Sequence, residues 1–153
     1  MIYKEEQRDL FTLPDEYMLA HCISADYALG AGIAKMFRDK LKVKDALLKM
    51  SNKNFWDGKG RCEIVNVQNE SGETVYVANL ITKCRFFHKP IYGTLEESLV
   101  DMKQKLAHDY PQVRKIGMPL IGCGLDRLQW EKVSEIIKQV FDETDYEVIV
   151  CYL

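Results

Sequence analysis

The sequence contains no Cys-x-x-Cys pair, and its five cysteines (Cys22, Cys62, Cys84, Cys123, Cys151) are an odd number without short spacing. That pattern argues against a zinc cluster and more strongly against a disulfide framework, and predicts buried thiols in a reducing, cytoplasmic setting. No apolar run approaches the roughly 20 residues of a membrane helix. The start, MIYKEEQRDLF, is charged and lacks the apolar stretch of a secretory signal. Nor is there a basic excess: 21 Lys and Arg against 23 Asp and Glu give a formal net charge of -2. A protein whose main task is coating nucleic acid would carry a basic footprint, although a local patch stays open. Repeats and low-complexity segments are absent as well. A single soluble domain over residues 1–153, with no membrane association, is the expectation, since 47% hydrophobic composition at this length supplies one core.

Short runs rich in Val, Ile, Tyr and Leu predict strands at Met18–Ile23, Cys62–Gln68, Thr74–Ile81, Lys115–Met118 and Glu147–Tyr152, with a weaker one at Ile2–Lys4. Ser71-Gly72 between the second and third predicts an antiparallel hairpin. Thr94-Leu95-Glu96-Glu97 reads as a capping box, and Leu95, Leu99, Met102 and Leu106 behind it share one helix face. Trp130, Val133, Ile137 and Val140 do the same further on, and a third helical stretch begins near Gly32 and restarts at Lys44. Ser51 to Gly60 is a loop. Strands alternating with helices, plus one hairpin, predict an α/β sandwich around a mixed sheet, with ligands at the carboxyl ends of strands.

The most informative segment is Met118 to Trp130, MPLIGCGLDRLQW. A short apolar run enters two glycines one residue apart, Gly122 and Gly124, and a helix follows; such turns aim bare backbone N–H groups at an anion. Asp126 is out of place there, because a phosphate cradle repels a carboxylate, so it is either a helix cap or a catalytic group. Gly30-Ala31-Gly32 is a second Gly-x-Gly turn before a helix. Each alone reads as helix-capping glycines; two in one small domain point to a ligand with two phosphates, or a phosphate and a sugar.

Lys83 closes an apolar strand, so its stem is packed while its amine emerges at the strand end. Neighbouring Arg85 and Lys89 disfavour another positive charge there, which suits a nucleophilic amine, and Asp126 is its natural partner if the fold joins the two loops. Cys123 with His88 is a weaker nucleophile–base pairing than a cysteine simply filling a tight turn. His21 reads as a core histidine and His108 as a helix C-terminal partner. Phe86-Phe87 either stack on a base or anchor their loop.

Set side by side, Asp9-Leu10-Phe11, AHCIS (Ala20–Ser24), GAGIA (Gly30–Ala34), LITK (Leu80–Lys83), HKP (His88–Pro90) and IGCGLDRLQWE (Ile121–Glu131) make the chain resemble the macro domain family. Within it the sequence is similar to the branch of terminal ADP-ribose protein glycohydrolases, also called O-acyl-ADP-ribose deacylases. The segments come in the family's order and cover essentially the whole chain. The resemblance implies a three-layer α/β/α sandwich around a mixed sheet, and an ADP-ribose pocket. Asp9 and Leu10 would meet the adenine. Ser24 and the turn Gly30, Gly32 and Ile33 would line the distal side. Ile121, Gly122, Cys123, Gly124 and Leu125 would cradle the diphosphate, and Leu153 would close the pocket. Lys83 would be the nucleophile and Asp126 the second catalytic group in removing ADP-ribose from modified Glu or Asp side chains, without metal or cofactor. The expected partners are ADP-ribose and ADP-ribosylated proteins, met by a monomer. ADP-ribosylated nucleic acid, the substrate of a related antitoxin branch that also uses a lysine, is an alternative, as is a non-catalytic reader. Arg8 stands where the family usually has glycine, and HCISAD replaces the asparagine-rich motif of the water-activating hydrolases.

Overall fold

The apolar runs become strands because the central ones can be buried on both sides, while the edge runs gain main-chain pairing. In the computed structural model, which describes residues 1–153, they are β1 (Ile2–Gln7), β2 (Tyr17–Ser24), β3 (Arg61–Gln68), β4 (Thr74–Lys83), β5 (Lys115–Met118) and β6 (Glu147–Tyr152). They form one sheet in the order β1-β6-β5-β2-β4-β3, parallel throughout except where β3 pairs antiparallel with β4. Asn69 shapes the β3–β4 hairpin by accepting from the N–H groups of Ser71 and Glu73. β2 reads YMLAHCIS and is almost wholly buried, the continuous apolar pattern of a parallel strand covered on both faces.

Four helices supply the covers: α1 (Gly32–Leu41), α2 (Val43–Leu48), α3 (Tyr92–Asp109) and α4 (Trp130–Val140). Lys42, in the left-handed region at φ 55°, separates α1 from α2. Side chains alternate along each strand, so two cores result. Met18, Ala20 and Leu80 pack with Leu95, Leu99 and Ile137 beneath α3 and α4. Leu19, Val77 and Ile81 pack with Phe37, Leu41 and Leu47 beneath α1 and α2. The result is the three-layer α/β/α sandwich around a mixed sheet.

One local expectation is overturned. Thr94 and Glu97 do not form a capping box, because α3 begins at Tyr92 and Thr94 lies inside its first turn. The Thr94 hydroxyl donates to the Thr82 carbonyl at the end of β4 (2.7 Å), and Glu97 accepts from the Gly60 N–H (3.0 Å). A carbonyl at a buried strand end has no water to bond, so the nearest hydroxyl goes to it.

Candidate active site

β5, β2 and β4 are neighbours in the sheet and parallel, so the segments leaving Met118, Ser24 and Lys83 emerge side by side at one edge. A register slip between Ile23 and Ser24 sets Ser24 opposite Lys83, and the Ala25 N–H donates to the Lys83 carbonyl (2.9 Å). The Lys83 Nζ donates to Asp126 Oδ1 at 2.6 Å. These side chains are 13% and 14% exposed, so water screens them poorly and removing either leaves an unpaired charge in a largely closed place.

The turn carrying Asp126 folds on itself. Cys123 N–H donates to the Leu120 carbonyl, Arg127 to Gly124, and Leu128 to Gly122 (2.7 Å), while Gly122 takes φ 73°. The N–H groups of Gly124, Leu125 and Asp126 donate to no acceptor in the protein. Lys89 reaches across to the Leu125 carbonyl (2.6 Å). The start of α1 is uncapped too: its N-cap is Ala31, and no side chain bonds its first N–H groups. The two glycine turns meet, for the Leu125 Cδ1 lies 3.7 Å from where a Cβ on Gly32 would stand. Asp126 is not a helix cap, because Gln129 takes that position and donates its N–H to the Tyr92 hydroxyl.

The other candidates fall into place around this centre. Asp9 is exposed and caps the short 3-10 turn Leu10–Thr12 by accepting from the Phe11 N–H (3.0 Å); Leu10 is buried. Ile33 is half-buried and Ile121 buried. Ser24 is buried and its hydroxyl donates to Asp26 (2.5 Å). Leu153 is 94% exposed.

Cys123 donates its thiol to the Ile121 carbonyl, and burial pushes that thiol up to about 11. His88 instead accepts the Arg85 N–H (3.3 Å), so the cysteine–base pairing does not form. His21 is buried against Phe37, ring centroids 3.8 Å apart, and shares a hydrogen with Asn79 (2.7 Å). Burial pulls its imidazole down to about 4 although the Asn79 bond opposes the shift, which makes it a neutral core group. His108 is exposed and contacts Asp109. No three His, Cys, Asp or Glu side chains are grouped to hold a metal. Sequence reasoning missed Asp26 and the Lys89 contact, since each acts through loops whose approach is set by the sheet order.

No family model matches the chain. It is 42% identical over 149 residues to ADP-ribose glycohydrolase OARD1 of Homo sapiens, covering 93% of this chain and 86% of that protein. The same figures hold for OARD1 of Bos taurus. The chain belongs to the OARD1 family of ADP-ribose glycohydrolases. Among solved structures, the OARD1-family chain is similar to the macrodomain of Thermus aquaticus DarG (TM-score 0.81, 21% identity, 99% of this chain and 98% of that one). The macrodomain of Mycobacterium tuberculosis DarG gives TM-score 0.83 at 19% identity, with the same coverage. At those identities the likeness is one of fold: this is a macro domain.

Proposed function

We propose that the protein releases ADP-ribose from ester-linked acceptors, mono-ADP-ribosylated Glu or Asp side chains and O-acyl-ADP-ribose, through a lysyl-ADP-ribose intermediate. Hydrolysis of an ADP-ribose linkage follows from the family; the route rests on the 2.6 Å contact between Lys83 and Asp126. Asp126 takes a proton from the Lys83 ammonium. The freed amine attacks the anomeric carbon of the distal ribose, a C–N bond forms, and the C–O bond to the acyl group breaks. The carboxylate leaves with its electron pair and needs no proton. Water then attacks the same carbon, Asp126 assists the proton transfers, and the C–N bond returns its electrons to Lys83.

Binding falls to the main chain. The free N–H groups of Gly124, Leu125 and Asp126, with the uncapped start of α1 at Gly30, Gly32 and Ile33, suit a diphosphate and the distal ribose. Ile121, Gly122 and Cys123 shape that cradle. Asp9 and Leu10 would meet the adenine, with Ser24 near the distal ribose and Leu153 folding over the ligand. The unit would act as one domain and a monomer in a reducing cytoplasm, where its five free cysteines persist as thiols.

A second reading, release of ADP-ribose from nucleic acid, is favoured by one observation. Phe86 and Phe87 are 64% and 66% exposed beside Arg85, His88 and Lys89, a stacking and phosphate-contacting surface. Incubation with glutamate-linked ADP-ribosylated protein and with ADP-ribosylated thymidine DNA separates the two. Release from protein, lost in Lys83→Ala and Asp126→Ala, is expected. Release only from DNA would move the assignment, binding without release would leave a reader, and full activity in Lys83→Ala would end the covalent route.

A further inference from the structure

Lys83 is bracketed by two consecutive residues of the β2 exit. The Ala25 N–H holds the carbonyl of Lys83 itself (2.9 Å), and the Ala25 carbonyl is in turn held by the Asn54 N–H (2.7 Å). The Asp26 carboxylate then holds the main chain three residues further on: its Oδ2 accepts the Phe86 N–H at 3.0 Å. Its other oxygen accepts from the Ser24 hydroxyl (2.5 Å) and the Ala28 N–H (3.2 Å). Burial alone would raise this carboxyl, but the donors from Ser24, Phe86 and Ala28 and the charge of Arg85 outweigh it and hold the group below the usual carboxylate range. At the far end of the same loop, Lys89 is bonded to the Leu125 carbonyl, next to Asp126.

We propose that Asp26 is a positioning residue of this hydrolase: it fixes the Lys83–Phe86 main chain so that the Lys83 amine meets Asp126 and, by the reading above, the anomeric carbon. The proposal rests on that reading for its catalytic consequence and on geometry for the rest. Every partner of the carboxylate is a donor. An asparagine therefore fails in either orientation, because its amide sets an N–H against the main-chain N–H of Phe86 or of Ala28. A loose loop lets the amine leave a near-attack arrangement, and misplacement of about 1 Å is enough to cost on the order of 100-fold in rate.

The test uses the intact chain with Asp26→Asn and Phe86→Pro, the second removing the loop's donor while leaving the carboxylate in place. The measurements are kcat on the ester-linked substrate, the ADP-ribose dissociation constant, and the rate at which an amine-reactive reagent labels Lys83 relative to exposed Lys4, read by mass spectrometry. Both variants are expected to lose at least about tenfold in kcat. Affinity for ADP-ribose should move less than about threefold, since the free donors of the Asp126 turn are untouched, and labelling of Lys83 should rise while that of Lys4 does not. Wild-type kcat and labelling in both variants would overturn the proposal. So would a loss of kcat and affinity together, which is what general destabilisation gives. Lys83→Ala run alongside separates the claims. If it stays active while Asp26→Asn still frees Lys83 for labelling, the covalent route fails and the positioning stands. If it is inactive while Asp26→Asn works normally, only the positioning fails.

Discussion

The turn Gly30-Ala31-Gly32 enters α1 at once, whereas five residues separate Gly122-Cys123-Gly124 from the first residue of α4. In the first turn the free donors belong to a helix end, with no acidic residue in its first turn, and Lys35 follows. In the second the chain closes on itself through Leu128 and Arg127, leaves three N–H groups unspent, and swings a carboxylate onto Lys83. Similar glycine spacing thus yields two devices. A glycine pair at a helix start leaves free donors alone; a pair held away from its helix leaves free donors and places a carboxylate beside a lysine.

The largest effect should come from erasing what distinguishes the second turn. Asp126→Ala and Lys83→Ala are each expected to slow single-turnover release by roughly 100- to 10,000-fold while calorimetry still detects ADP-ribose. Full release by Asp126→Ala would leave the second turn with no role beyond its free donors.

Acid should weaken the first turn's support. His21 stacks on Phe37 of α1 and titrates near 4 in the fold against 6.5 when unfolded. Between those values the unfolded chain holds a proton that the folded chain lacks, so stability rises with pH across the window. Roughly 3 kcal/mol contributed at neutral pH is lost on acidification from 6.5 towards 4. Thermal melts across this range should show the slope, and His21→Gln should flatten it.

Smaller effects test the glycines one at a time. Gly122 and Gly32 sit at φ 73° and 60°, and a Cβ on Gly122 would also come within 3.0 Å of the Leu128 side chain, which is flexible enough to yield. Gly122→Ala and Gly32→Ala should each cost about 1–2 kcal/mol by chemical denaturation. Gly30 and Gly124 have no positive φ, and a Cβ there meets nothing closer than 3.9 Å. Their alanine variants should lie within about 0.5 kcal/mol of the parent. Equal costs at all four positions would undo the distinction within each pair.

The sheet was readable in the sequence wherever a strand is buried on both faces. β5 and β6 match their expected bounds, β3 and β4 differ by one and two residues at one end, and β2 by one residue at each end. β1 was legible only over Ile2–Lys4, because it is an edge strand and its continuation, Glu5-Glu6-Gln7, is polar; what holds it is main-chain pairing with β6. The Thr94 motif misled because a local pattern cannot know that a strand-end carbonyl from Thr82 lies beside it. For the site, Lys83 and Asp126 could be named as a pair from sequence, but they stand 43 positions apart and only the strand order brings them to 2.6 Å. Asp26 was illegible for the same reason: its partner Phe86 is 60 positions away.

The donors left free at Gly124, Leu125 and Asp126 belong to the main chain. Proline is the one substitution that removes such a donor outright, so most mutations in the turn leave its hydrogen-bonding capacity intact. Lys83 and Asp126 contribute through side chains, and one change at either codon deletes that contribution. If the proposed roles hold, a lineage built on this turn passes from hydrolase to binder by losing either side chain, and the donors it keeps stay in place for the return.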